Sequence, residues 1–168
     1  MRIAFITPEY VTEANFDGGL ANYLRRVSAA LKDFGHEPVI FVAADRDEHF
    51  DHEGIMVVRV NVRGKIPVAL GVFRKGGIFR SLSWLWQSWM LNKALQGFHL
   101  RQPVAVAQFA SYMATAFFKP RSIPAIVRIS SLQSLLDKAY DNRLTVYTRL
   151  AQYLEATAIK KADRLICP

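Results

Sequence analysis

Apolar positions along this chain follow two rhythms in turn. Residues 2–7 form a short apolar run closed by Pro8, the pattern of a buried strand. After a loop reaching Gly19, Leu20, Leu24, Val27, Leu31 and Phe34 recur at helical spacing, and Gly35 stands where a helix C-cap belongs. Val39, Ile40, Phe41 and Val42 read as a second buried strand. A third spans residues 55–62, with Met56, Val58, Val60 and Val62 on one side. Strand, helix and strand joined by short connections predict a parallel sheet.

The alternation continues. A loop punctuated by Gly and Pro covers residues 63–77, and an apolar helix is expected over 79–98. Strands are expected at 103–108, 124–129 and 164–167, with helices at 111–118 and 145–162. The prediction is an α/β, Rossmann-like three-layer sandwich with a mainly parallel sheet, one domain over residues 1–168. The last strand is expected to be buried, so the chain is expected to lead onward after Pro168. No internal repeat or low-complexity stretch interrupts the pattern.

Composition narrows the class. Half of the 168 residues are hydrophobic, which supplies a core and argues against disorder. The single cysteine, Cys167, can form no internal disulfide and no zinc cluster, which fits a reducing compartment. The apolar start is too short for a secretory signal, and no run is long enough to span a bilayer. A cytoplasmic location is the expectation.

Charge is polarised. The net charge is +8, yet no Asp or Glu occurs between Glu53 and Asp137, an interval holding eleven Lys and Arg residues. A one-sign surface draws anions such as phospholipid headgroups, phosphorylated glycans or nucleotides. The alternative is a solvated face balanced by an acidic neighbour.

The candidate chemistry starts at Asp17-Gly18-Gly19-Leu20, between the first strand and the first helix. Ligands of doubly wound sheets collect at the carboxyl ends of strands. Glycines there let backbone amides approach a ligand, and the helix N-terminus favours phosphate. A plain tight turn would look the same. A dinucleotide fingerprint needs its glycines directly after the strand, whereas roughly ten residues intervene here. No G-x-x-x-x-G-K-[ST] loop occurs either. NAD enzymes and P-loop NTPases are disfavoured.

These segments carry a resemblance. The opening Met1-Arg2-Ile3-Ala4-Phe5-Ile6-Thr7-Pro8-Glu9-Tyr10, then Gly18-Gly19-Leu20, then Phe34-Gly35-His36-Glu37-Pro38-Val39 resemble the start of the group 1 (family 4) retaining glycosyltransferases of GT-B fold. Leu154-Glu155 through Lys160-Lys161-Ala162-Asp163-Arg164-Leu165-Ile166 is similar to that family's E-x6-A-D-x-V-I segment. The likeness runs the length of the chain.

The resemblance implies an N-terminal, acceptor-side half facing a C-terminal donor-binding half across a cleft. No tightly bound cofactor and no metal are implied; a nucleotide-diphosphate sugar is the co-substrate. Gly18 and Gly19 are placed near the donor diphosphate, with Glu9, Tyr10 and Asn22 flanking them. The family's E-x7-E glutamates belong to the other half, so this half by itself should not turn over. Polysaccharide biosynthesis of the glycogen or starch synthase type is the implied setting. At the fourth strand many relatives carry His where this chain has Gln108, followed by Ser111; the fifth strand ends in Ser130-Ser131. Gln cannot act as a general base but can orient a hydroxyl. Gln108 is the sole, weak catalytic candidate. In a retaining enzyme the departing phosphate can take the acceptor proton.

Two further segments stand out. In the apolar helix, Phe79, Leu82, Trp86, Trp89, Met90 and Ala94 share one face, while Trp84, Leu91, Leu95 and Phe98 fall on the other. One face packs on the sheet; the other meets a helix, a partner or a membrane. Arg74, Lys75, Arg80 and Trp84 are the candidates for membrane or anionic-acceptor contact, since Trp beside Lys and Arg is the pattern of interfacial anchoring. Core packing is the competing reading. Acidic and His residues crowd 45–53, which reads as a solvated loop rather than a metal site.

The expected partners are thus the C-terminal half, a saccharide or lipid-linked acceptor, and an anionic membrane surface; nucleic acid is disfavoured. The rival functions are a non-catalytic module for anionic lipid or another polyanion, and half of a GT-B-like nucleotide-sugar epimerase.

Overall fold

A computed structural model describes residues 1–14, 18–63, 77–130, 132–141 and 145–167. The strands are β1 (Arg2–Thr7), β2 (Glu37–Ala44), β3 (Glu48–His52), β4 (Ile55–Asn61), β5 (Val106–Ala110), β6 (Ala125–Arg128) and β7 (Arg164–Ile166). The helices are α1 (Gly19–Asp33), α2 (Gly77–Arg101), α3 (Gln133–Ala139) and α4 (Val146–Lys160), with a 3-10 turn at Tyr112–Ala114. The seven strands form one sheet in the order β3-β4-β2-β1-β5-β6-β7. All pairings are parallel except β3 with β4. The expected α/β sandwich is present.

Alternation along the strands divides the core in two. Phe5, Ile40, Val42, Ile55 and Val57 pack with Leu24 under α1. Ala4, Ile6, Val39, Phe41, Val58, Ala107, Phe109 and Val127 pack on the opposite face, under α2 and α4. Fully buried Leu91 and Leu95 dock α2 there, each worth roughly 1.5–3 kcal/mol.

Local chemistry explains the boundaries. Gly35 has φ +76, and the amides of Gly35 and His36 return to Lys32 and Leu31 to close α1. Thr145 caps α4 by a reciprocal exchange with Thr148. Asp163 accepts from the Ala125 amide at 2.8 Å and from Lys119 at 3.1 Å, tying β7 to β6.

Several expectations are corrected. The acidic segment is no simple loop: residues 48–52 form an antiparallel edge strand. Its two-residue turn, Glu53-Gly54, has positive φ at both positions, the geometry of a tight hairpin. The strand expected at 103–108 runs from Val106 to Ala110, and α3 has no counterpart among the expected elements. Met56 is 38% exposed rather than packed with Val58 and Val60. β7 is not buried, because it pairs only with β6 and leaves Leu165 and Ile166 half-exposed.

Candidate functional site

The strand order reverses direction between β1 and β5: the chain leaves β1 toward β2 on one side and returns to β5 on the other. In open parallel sheets that reversal splits the connections apart and opens a crevice at the carboxyl ends. Here a cleft of about 530 Å³ lies at that edge, lined by Glu9, Gly19, Leu20, Tyr112, Arg128, Ser130 and Leu136. The connections after β1, β5 and β6 contribute, together with the end of β6, the start of α1 and Leu136 of α3.

Gly18 and Gly19 stand at the start of α1, and Gly19 lines the cleft. Gly18 is the N-cap of α1 with φ +75, a conformation that other residues adopt only under strain. Among the described residues, nothing lies within 4 Å of where a Cβ would project from either glycine. Gly19 has no positive φ, so its backbone conformation is open to other residues as well. Among the described residues the start of α1 is open, and Gly19 faces the carboxyl edge of the sheet.

Tyr112 reaches the cleft from a turn held under tension. Met113 and Ala114, at φ +59 and +52, are left-handed residues without being glycine, at a cost of about 1–3 kcal/mol each. The buried side chains of Ser88 and Asn92 on α2 hold that turn by donating to the Thr115 carbonyl at 2.9 and 2.8 Å. The Thr115 hydroxyl donates to the Ala110 carbonyl at 2.6 Å.

Arg128 is the cleft's cation. Its guanidinium lies over the Tyr23 ring, 3.9 Å from the centroid. The Tyr23 hydroxyl in turn pairs with the Gln108 amide at 3.3–3.4 Å. This stack of α1, β5 and β6 residues arises because Ala125 and Val127 face the opposite core, which turns Arg128 toward α1.

The other expected site residues separate. Glu9, Gly19 and Ser130 come together in the cleft. Asn22 is exposed and lines a neighbouring open hollow with Gly19, Tyr23 and Arg26. Tyr10 is corrected: it is fully buried beneath α1, edge-on to His52, and burial pushes its phenol pKa up. Ser111 is likewise buried, its amide donating to the Arg128 carbonyl at 3.1 Å. Gln108 sits inside β5 rather than at its end, so it holds Tyr23 and does not line the cleft.

The helix faces are also corrected. Trp84 is 2% exposed, its ring tilted 58° to that of Tyr112 with centroids 6.1 Å apart, because its face of α2 is the one laid on the sheet. Trp89 is the exposed tryptophan, at 39%, with the Lys93 ammonium 5.0 Å from its ring centroid. Trp86, Trp89, Met90 and Ala94 border a groove of about 430 Å³ against β4. Arg74, Lys75, Asp17, Ser131 and the side chain of Arg80 lie outside the described residues. Among the described residues no helix is long and apolar enough to cross a membrane, and no three His, Cys, Asp or Glu residues gather as metal ligands.

Sequence reasoning missed Arg128, Tyr112 and Tyr23. The period-2 pattern of Ala125 and Val127 was the available signal for Arg128, since it sets the alternate residues on the other face. Tyr112 had no such signal, because its placement depends on left-handed residues that are not glycine.

Comparison with known proteins adds to this geometry. A family profile described as a glycosyl transferase 4-like domain matches residues 18–168. No curated protein matches the chain. Among solved structures, sucrose-phosphate synthase from Thermosynechococcus elongatus superposes with TM-score 0.67 at 14% identity. That alignment covers 98% of this chain and 41% of the synthase chain. Os79 from O. sativa, solved in complex with UDP, superposes with TM-score 0.59 at 9% identity, covering 98% of this chain and 45% of Os79. The chain thus spans under half the length of both.

Proposed function

The chain belongs to the glycosyl transferase 4-like family, and on that premise we propose that it is the acceptor-binding half of a sugar-transferring enzyme. The donor is a nucleotide-diphosphate sugar, the acceptor a saccharide or lipid-linked saccharide, and the sugar keeps its anomeric configuration. The fold supports this as the N-terminal half of a GT-B transferase. The carrying observation is the open cleft at the β1–β5 reversal, where Gly19 presents its backbone beside Glu9, Ser130 and Arg128.

The chemistry follows from that arrangement. Transfer builds charge on a departing diphosphate, and fixed donors and dipoles stabilise it most where water is excluded. The bare N-terminus of α1 offers amides to phosphate oxygens without a side chain between. Glu9 and Ser130 can accept from and donate to acceptor hydroxyls. Gln108 pairs with Tyr23 and its amide cannot take a proton, and we assign the acceptor proton to the leaving phosphate. The remaining donor contacts belong to a second domain of the full protein. We place that protein in the cytoplasm, peripheral on the inner face of the membrane, a reading supported by the +8 charge of this half and by the Lys93 ammonium over the exposed Trp89 ring.

The test is an assay of the full-length protein with a panel of nucleotide-diphosphate sugars, with and without saccharide acceptors. Acceptor-dependent release of nucleoside diphosphate is expected, with a product of unchanged anomeric configuration by NMR. Interconversion of sugar nucleotides without acceptor would favour an epimerase. Release of nothing by any donor would overturn the transferase reading, and inversion would overturn the stereochemical part alone.

A further inference from the structure

We propose that Arg128 is an oxyanion-binding residue of this cleft, selecting a substrate that carries a phosphate or carboxylate group there. The inference rests on the cleft being the transferase site and names the chemistry of what enters it.

Three observations carry it. First, Arg128 is uncommitted to an acid: among the described residues its guanidinium forms no ion pair, whereas Arg2, Arg25, Arg46 and Arg59 each do. Glu9 lines the same cleft. Second, the guanidinium is preorganised. It lies over the Tyr23 ring, 3.9 Å from the centroid, and the Tyr23 hydroxyl pairs with Gln108, so the guanidinium loses less freedom than a solvated one when it engages a ligand. Third, it shares the cleft with Gly19, where backbone amides are unobstructed.

A fixed cation without a counter-ion in a solvent-open cleft pairs best with a bidentate oxyanion. A neutral sugar would be served as well by an amide or hydroxyl. Glu9 and Ser130 then address sugar hydroxyls while Arg128 takes the charge. The oxyanion comes either from the donor diphosphate or from an acidic acceptor, such as a phosphorylated or uronic sugar.

The experiment titrates the isotope-labelled full-length protein with UDP, glucose 6-phosphate, glucuronate and glucose, following backbone amides by NMR in wild type, R128Q and R128K. Charged ligands are expected to move the Gly19 and Ser130 amides. R128Q should weaken that binding about tenfold or more, as for loss of a charge-assisted hydrogen bond. R128K, keeping the charge without the fork, should fall between, and glucose should be indifferent to the substitution. Stronger loss for UDP assigns the oxyanion to the donor; stronger loss for the two acidic sugars assigns it to the acceptor. If charged ligands move Gly19 and Ser130 equally in wild type and R128Q, Arg128 is not the anion residue while the cleft reading stands. If no ligand at millimolar concentration moves those amides, both fall. Amide dispersion reports folding, and should R128Q not fold, R128K decides by whether it discriminates charged ligands from glucose.

Discussion

Asp163 shows how a motif residue can be structural. Its carboxylate accepts first from the Ala125 amide and then from Lys119, and both hold its pKa below the usual carboxylate range. A depressed carboxylate stabilises the fold above its unfolded pKa, about 3.9, and that stabilisation is lost as pH falls through the lower folded value. Asp163→Ala should therefore melt below wild type at pH 7, and the two melting curves should converge below about pH 4. A constant gap down to pH 2 would contradict the account. Glu155 plays a comparable part, accepting from the Gln133 amide at the start of α3. Gly35 was legible from sequence as the end of α1, since a C-cap demands the left-handed region. Gly35→Ala should cost about 1–2 kcal/mol in denaturant unfolding. Arg128 was legible only as one more basic residue, because its role comes from a stack built by three separate elements.

Among elements, α2 is the instructive case. Its spacing revealed two apolar faces, but spacing alone does not say which one meets the sheet. The structure decides through polar residues: Ser88 and Asn92 lie on the Trp84 and Leu91 side and find partners at the Thr115 carbonyl. Trp84→Ala should cost about 3–5 kcal/mol, as for a truncated core aromatic. Trp89→Ala should cost about 1 kcal/mol. Equal costs in urea unfolding would mean the faces are wrongly assigned. The β3–β4 hairpin was illegible for a different reason. Its strand is an edge rich in charge, so it lacks an apolar run, and its hold comes from ladder bonds and from Arg59 meeting Glu13 at 2.8 Å and Glu48 at 2.5 Å.

At the scale of the full fold, the parallel strands follow from the alternating rhythm of the sequence, whereas their order in the sheet and the cleft do not. The cleft exists because connections diverge at β1 and β5, a property of topology. The acid-free interval between Glu53 and Asp137 adds a long-range field. Co-sedimentation with vesicles containing anionic lipid should exceed that with neutral vesicles. It should fall sharply between low and physiological salt, where the Debye length is about 8 Å, and Trp89→Ala should weaken it further. Equal pelleting with neutral vesicles would remove the charge argument.

The central claim is that Gly19 is bare so that a ligand can come close to the backbone. Its φ is ordinary and a Cβ would meet open space, so the fold itself has no need of glycine there. The deciding measurement is sugar transfer by full-length wild type and Gly19→Ala, with melting temperature recorded alongside. The account predicts melting unchanged or raised, alanine being the better helix former, and transfer reduced about tenfold or more, equivalent to about 1.4 kcal/mol of lost transition-state stabilisation. Transfer at the wild-type rate by a fully folded Gly19→Ala protein would contradict it.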